Sequence, residues 1–552
     1  MSAHAMSLRQ WALLLFASLA LFLPGFATLP PVDRDEGRYI VSSQRMAATG
    51  DFVDIRYQDQ PRYLQPAGIY WLQSLSARVF DSPAMDSVWA YRLPSLISAL
   101  IAVLLTGFVS ARFFGAKVGL AAGVLLATCL SLNFEARIAK TDATLLAAIV
   151  TAQAALMRLY LEQAPKRWLA VAFWAALGAG LMIKGPIILI VTGATIAALA
   201  AWDRKIRWLG ALRPVWGPFI MLAIALPWYV AIGIHTDGAF FDRALGQSMM
   251  DKVGDSQQGH GGPPGYHLAL FALMFWPASL IAVRAAQTAW RQRAEPAVRF
   301  LICWIVPTWI VFELVATKLP HYVLPTYPAI ACLSALALHD ATPVRGFVGR
   351  AALIAWSLVW LAATALLAGI GPAAFREFDL TVPAFGLALA AATAITALAA
   401  LWFFWRRDIS KTILALAVCG LIGAGGFFGF QAPNLTPFWL SPRIADLARA
   451  SRPCDDSVLV TTPYTEPSLV FLYGRTRTQL TPSGEAAADA TADVGVCAIA
   501  LVGAEQQAAY LSRAAERGLT VRRLGDISGR NYSNGDDLTL TLYGQGADDG
   551  GE

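Results

Sequence analysis

Apolar runs of near-membrane length recur along the chain, separated by short polar turns. They fall at roughly 10–29, 90–111, 118–133, 143–161, 168–183, 186–202, 212–234, 266–288, 297–316, 322–339, 349–371, 381–404 and 411–430. A helix needs about 20 largely apolar residues to cross the hydrocarbon of a bilayer. The pattern therefore predicts an α-helical polytopic membrane protein with about 13 transmembrane helices. Three longer stretches break it: residues 30–89, residues 235–265, and everything from 432 onward.

Each stretch has its own pattern. "DEGRYIVSSQRMAATGD" reads as a helix with acids in its first turn and "TGD" closing it. The aromatic and alternating residues that follow suit a segment at the lipid interface, ending in a second amphipathic helix near 66–80. The 235–265 stretch holds "DKVGDSQQGHGGPPGY", whose glycines and prolines predict a mobile outer loop. Beyond 432, "DSVLVTT", "VCAIALVG" and "LTLTLYG" read as strands and "EQQAAYLSRAAERG" as an amphipathic helix stopped by Gly518. These readings divide the chain into a transmembrane domain, 1–431, and a small soluble α/β domain, 432–552. The closing "GADDGGE" has a disordered composition.

Composition agrees with the apolar pattern. Of the 552 residues 57% are hydrophobic and 14% charged, where a soluble domain carries about 25% charged residues. The net charge of +6 calls for no nucleic acid, because its distribution is a topology signal. With the N-terminus inside, alternate turns collect Arg112 and Lys117; Lys166 and Arg167; Arg204, Lys205 and Arg207; Arg284, Arg291 and Arg293; Arg345 and Arg350; Arg406, Arg407 and Lys411. By the positive-inside rule these turns are cytoplasmic. The three long stretches then lie outside, whether the first span stays as an anchor or is cleaved as a signal peptide. Cys454 and Cys497, both in the terminal domain, are either a disulfide or two buried thiols; Cys129, Cys303, Cys332 and Cys419 read as packing residues.

The candidate chemistry gathers on the outer side. In a helix beginning at Asp35, residues Asp35, Arg38, Tyr39 and Ser42 share one face. Glu135, Arg137, Lys140 and Asp142 mark a second outer turn, Lys184 a third, and Glu313, Lys318, His321, Tyr322 and Tyr327 a fourth. Ionisable residues bordering spans are costly and usually face a cavity. Several such turns point to one shared polar cavity, with cations for a phosphate and carboxylates for a base or acceptor. Glu313, one turn inside the membrane, reads as a structural partner. His260 and His267 flank a Gly-Pro loop without zinc spacing, and no metal site is expected. "GAGLMIKG" sits inside a span, where close helix packing explains its glycines. No nucleotide-binding fingerprint follows a strand, so a donor must come from lipid.

These motifs resemble a known group. "DRDEGRYIVSSQRMAATGDFVDIRYQD", "PAGIYWLQ", "RIAKTDATLL", "LMIKGP" and "TKLPHYVLPTYPAIA" are similar, in order and topology, to motifs of the superfamily of glycosyltransferase family 39 and the lipid A 4-amino-4-deoxy-L-arabinose transferases. The likeness covers about the first 340 residues, and "GRNYSNGDDLTLTLYG" resembles the end of some bacterial members. It implies the fold of the C-type membrane glycosyltransferases. By position it makes Asp35 and Asp142 the catalytic acids and puts Arg38, Tyr39 and Tyr322 at the donor phosphate. Arg62, Lys140, Lys184 and Lys318 are the further cations available to that phosphate, and His260, His267 and His321 fall to the acceptor or loop side. One departure stands out: relatives carry a lysine before the proline of the "PAG" motif, where this chain has Leu64 and Gln65.

The expected activity is inverting transfer of a sugar from polyprenyl (undecaprenyl) phosphate to an acceptor on the periplasmic side of a bacterial inner membrane. Lipid A, another glycolipid or a protein would serve as acceptor. A lipid-linked sugar transporter and an inactive lipid-binding paralogue are the alternatives. No cofactor is expected, a divalent metal is left open without being indicated, and a monomer is expected.

Overall fold

The structure is a computed structural model that describes residues 5–247, 262–344 and 346–546. The expected tail and the centre of the expected mobile loop, with His260, lie outside the described residues. The rest is mainly helical, as the apolar pattern requires.

Among the described residues, seven helices are long and apolar enough to cross a membrane; the bent pair Tyr266–Met274 and Ala278–Arg291, turned by 116°, makes an eighth candidate. The other five segments expected to span coincide with apolar helices of 10–17 residues, shorter than the roughly 20 residues of a full crossing. The chain is a polytopic integral membrane protein. "GAGLMIKG" is helical, and its glycines admit neighbours: a Cβ on Gly178 would lie 2.9 Å from the Met221 carbonyl oxygen, and one on Gly180 2.5 Å from Ile188. Close helix packing is thus what these glycines provide.

The first outer stretch forms two helices and a small hairpin. Asp35–Thr49 carries Asp35 and Glu36 in its first turn, where the helix dipole favours acids, and stops at Gly50 with φ 73°. The hairpin pairs β1 (Arg56–Tyr57) with β2 (Gln60–Pro61). Gly68–Phe80 follows, its inner face buried through Ile69, Tyr70, Gln73 and Ala77. Its other face exposes Leu72, Leu75 and Val79, an apolar stripe of the kind that interfacial helices present to lipid.

The C-terminal part is a mixed five-stranded sheet of β3 (Val458–Thr462), β4 (Thr478–Leu480), β5 (Ala498–Gly503), β6 (Val521–Asn531) and β7 (Asp536–Gln545), in the order β4-β3-β5-β7-β6. β3 runs parallel to β4 and β5, and β7 antiparallel to β5 and β6. Alternate residues serve opposite faces. Leu459, Ile499 and Leu501 pack under Leu440–Ala450 and Pro467–Tyr473, while Val460, Ala500 and Val502 pack under Gly484–Val494 and Gln507–Glu516. Cys454 and Cys497 are joined as a disulfide.

This sheet domain does not hang free. Val470 and Phe471 of its Pro467–Tyr473 helix share a core with Ile40, Val41, Ala77, Tyr91 and Ala139 of the membrane part. The rings of Tyr91 and Phe471 meet edge to face at 5.8 Å.

Candidate active site

The outer turns converge on a chamber of about 430 Å³. Asp35, Arg38, Tyr39 and Arg62 enter from the first outer stretch; Lys140 and Asp142, Lys184, and His321 with Tyr322 come from three later turns. These residues span the chain from Asp35 to Tyr322, so the shared cavity is a product of the fold. Helix starts and stops set their placement. Asp35 opens its helix, Asp142 opens the span Asp142–Leu161, and Lys184 ends Trp168–Lys184.

Two cations hold Asp142. Lys184 Nζ donates to Asp142 Oδ1 at 2.6 Å, and Lys140 lies 3.6 Å from Asp142 Oδ2 and 3.6 Å from Glu135 Oε1. His321 bridges the same carboxylates, with Nε2 3.6 Å from Asp142 and Nδ1 3.8 Å from Glu135. Burial, with Lys140 alongside, pushes the His321 imidazole down to about 3, so it is neutral near pH 7. Tyr322 extends the cluster, its ring 5.9 Å from Lys184 Nζ.

The opposite wall is different. Among the described residues, Asp35 has no side-chain hydrogen bond or ion pair, and it is exposed to the chamber. Tyr39 is buried and donates to Gln65 Oε1. The Arg62 guanidinium lies over the Tyr39 ring at 5.3 Å. One wall thus has a self-neutralised Lys–Asp–His–Glu network, and the other presents Asp35 and Arg38 to the chamber, with Arg62 packed on Tyr39 behind them.

Some expected residues go elsewhere. Lys318 is turned away, donating to the Gly262 carbonyl at 3.0 Å. His267 is buried between Glu313 at 3.0 Å and the Leu319 carbonyl at 3.2 Å. Glu313 also accepts from the Gly265 amide, so its place is structural, as its depth suggested. Arg137 is spent on the backbone carbonyls of Leu21, Pro24 and Asn133. Burial in a carbonyl-rich pocket satisfies a guanidinium without an anion.

Sequence reasoning missed the support of the site. Arg92 binds Glu36 through both carboxylate oxygens and donates to the carbonyls of Phe26, Leu29 and Pro30. Glu36 also accepts from the amides of Val32 and Ala139, tying two outer turns together. The available signal was "YRLP", an arginine inside an otherwise apolar run.

Glu135, Asp142 and His321 present ligand atoms within 4.8 Å of one another, as do Asp51, Asp54 and His235. In the first group Lys140 and Lys184 already sit on the carboxylates and would compete with a cation.

A second, apolar cavity of about 490 Å³ adjoins the chamber. Phe134 and His321 line both; Leu273, Trp276, Leu367 and Phe428 line the apolar side. A polar room opening beside a greasy one suits a charged head group on a long hydrocarbon chain.

This fold is that of the C-type membrane glycosyltransferases. It superposes on ArnT from Cupriavidus metallidurans bound to undecaprenyl phosphate with TM-score 0.76 and 18% identity, over 97% of this chain and 98% of that one. An oligosaccharyltransferase from Archaeoglobus fulgidus is more distant, at TM-score 0.51 and 11% identity over 94% of this chain and 69% of that one. Residues 64–230 match the family described as dolichyl-phosphate-mannose-protein mannosyltransferase. An undecaprenyl phosphate-α-4-amino-4-deoxy-L-arabinose arabinosyl transferase of Aeromonas salmonicida is 27% identical over 76% of this chain and 76% of its own length. The protein of that name from Erwinia tasmaniensis is 27% identical over 59% of this chain, which spans 58% of that relative's length. Within its fold class, the chain is thus similar to the dolichyl-phosphate-mannose-protein mannosyltransferase family over residues 64–230 and to the aminoarabinose transferases over most of its length.

Proposed function

We propose that this protein is an inverting glycosyltransferase of a bacterial inner membrane. It moves a sugar from undecaprenyl phosphate to lipid A or a similar glycolipid, with its chamber on the periplasmic side. The observation that carries this reading is the pairing of the two cavities. Asp35, Arg38 and Arg62 face a polar chamber that adjoins an apolar one, as a lipid-linked phosphosugar requires. The names of the relatives from Aeromonas and Erwinia point to the same donor class. The arginine-rich turns expected on the opposite side support the orientation.

The chemistry follows from charge. The acceptor oxygen attacks the anomeric carbon from the side opposite the phosphate, and configuration inverts. The bond from that carbon to the phosphate oxygen breaks, and its electron pair stays on the oxygen. Arg38 and Arg62 stabilise the charge that develops there, as paired donors to phosphate do. Asp35 orients the acceptor and, for a hydroxyl acceptor, takes its proton. A phosphate acceptor is already anionic, and Asp35 then acts by positioning. Asp142 is committed to Lys184 and Lys140, so in this scheme it holds those cations in place.

Turnover of undecaprenyl phosphate-linked sugar by purified protein in lipid vesicles tests the proposal. The wild type should transfer sugar, and Asp35→Asn should lose about 100- to 10,000-fold in rate with folding intact. A wild type that binds donor without turnover across lipid and protein acceptors would refute it. Glycolipid mass spectrometry of cells with and without the protein would then name the sugar and the acceptor.

A further inference from the structure

The loop that delivers Asp35 to the chamber is gripped from outside the membrane part. The Ser468 amide donates to Asp33 Oδ1 at 3.1 Å. The Asp33 amide donates to the Tyr532 hydroxyl at 2.7 Å, and the Arg34 guanidinium to the Ser533 carbonyl. Ser468, Tyr532 and Ser533 all belong to the C-terminal sheet domain, more than 400 residues along the chain. Tyr532 is itself fixed, its ring stacked on Phe438 at 4.4 Å.

Two further features show that this grip bears on the backbone. Arg34 has φ 63° and ψ −99°, a region that residues with a Cβ rarely occupy and that persists only where its surroundings impose it. It stands directly before Asp35, and the residue on its other side, Asp33, is bonded to the sheet domain. Gly37, one turn of helix further, meets the same domain: a Cβ there would lie 2.8 Å from both the Pro467 side chain and the Ser468 amide. Only hydrogen fits between the catalytic helix and the domain.

We infer that the C-terminal domain is a positioning element for Asp35, acting through a clamp of Ser468 and Tyr532 on Asp33 and of Ser533 on Arg34. The role given to Asp35 rests on the function proposed above; the clamp itself does not. When the clamp opens, Arg34 relaxes and Asp35 leaves the place from which it meets the acceptor.

The clamp also senses pH. Asp33 is buried, and burial together with the nearby Glu466 raises its carboxyl to about 7. The groups facing it are Glu466, Tyr464 and Tyr532 from the sheet domain, and Tyr57 from the membrane part. A carboxyl whose bound-state value lies above its free value near 4 favours docking when protonated. That contribution is complete below about 4 and fades as pH rises through about 7. Asp33→Asn keeps an oxygen for the Ser468 amide and cannot ionise.

The test compares full-length wild type, Gly37→Ala, Tyr532→Phe and Asp33→Asn in vesicles, reading hydrogen exchange of the 32–38 amides together with kcat and binding of undecaprenyl phosphate. Gly37→Ala wedges the domain away, and Tyr532→Phe strips the Asp33 amide of its acceptor. Both should raise exchange at 32–38 and lower kcat by about 100-fold, the scale of a small misplacement, with much smaller changes in phosphate binding. In the wild type, exchange at 32–38 should rise as pH rises through 7, and Asp33→Asn should abolish that rise. Unchanged exchange in both Gly37→Ala and Tyr532→Phe overturns the clamp, and faster exchange with wild-type kcat overturns its positioning role. Should the wild type transfer no sugar at all, the proposed function fails, and the exchange data alone decide the clamp.

Discussion

Arg92 sets its Nε and Nη2 each 2.8 Å from a different carboxylate oxygen of Glu36, the residue next to Asp35. Both side chains are sealed from solvent. The pair joins the start of the Asp35–Thr49 helix to the span Val88–Phe114 and, through the Ala139 amide, to the turn carrying Lys140. Breaking one partner of a buried pair strands the other charge, at a cost of about 3–5 kcal/mol. Arg92→Ala and Glu36→Ala should each lower thermal stability in detergent by an amount of that order. Arg92→Lys should fail to rescue, because a single ammonium cannot reproduce the fork. A melting temperature within a degree of wild type for Arg92→Ala would show that the pair is incidental.

Lys184 and Asp142 form the tightest ion pair of the chamber, at 2.6 Å. Removing the lysine leaves Asp142 with Lys140 at 3.6 Å and a neutral His321. Lys184→Met should therefore destabilise the protein by about 2–4 kcal/mol and weaken donor binding. The double variant Lys184→Met, Asp142→Asn removes both charges and should recover most of the stability without recovering transfer. A thermal-melt double-mutant cycle measures the coupling directly. Additive losses would mean that the two side chains act apart.

The pattern of the chain made some of this legible. Among the described residues, apolar runs located each of the seven helices long enough to cross a membrane and the bent pair, because desolvation in lipid leaves little choice. The face shared by Asp35, Arg38 and Tyr39 was legible because helical geometry is local. Lys318 and His267 were misplaced for the complementary reason. Ionisable residues at an outer turn are drawn toward any acceptor, and the Gly262 carbonyl and Glu313 were closer than the chamber. The hydrogen bonds from Ser468 and Tyr532 to Asp33 depend on docking between distant segments, which no periodicity records. β6 also escaped notice, since "VRRLGDISGRN" leaves one face to solvent and carries little apolar alternation.

The family resemblance leads to the expectation of a lysine where Gln65 stands, and the Gln65 side-chain oxygen accepts from Tyr39. The chamber thus lacks one cation close to Arg62. Gln65→Lys would add a charge-assisted donor to a bound phosphate, a contribution of about 1–2 kcal/mol, or roughly tenfold in affinity. Repulsion from Arg62 and loss of the Tyr39 acceptor work against it. The net expectation is several-fold tighter undecaprenyl phosphate, with a steeper loss of binding as salt rises. Titration calorimetry in detergent at two salt concentrations checks both. Weaker binding at every salt would mean that the Tyr39–Gln65 bond is what shapes the phosphate site.

The Cys454–Cys497 disulfide closes a loop with a sequence separation of 43. In the chain-entropy account, a cross-link over that span stabilises the folded state by about 4 kcal/mol. The loop contains β3, β4 and the Pro467–Tyr473 helix, so it includes Ser468 and the surface that meets Gly37. The other cysteines, Cys129, Cys303, Cys332 and Cys419, are free and buried. A mild reductant therefore acts at one place. Reduction, or Cys454→Ser with Cys497→Ser, should lower the unfolding temperature of the sheet domain while the membrane helices keep their far-ultraviolet signal. At temperatures where the reduced domain begins to open, sugar transfer should fall with it, and reoxidation should restore both. Transfer that survives melting of the sheet domain would separate the domain from the chemistry and leave Asp33 held by the membrane part alone.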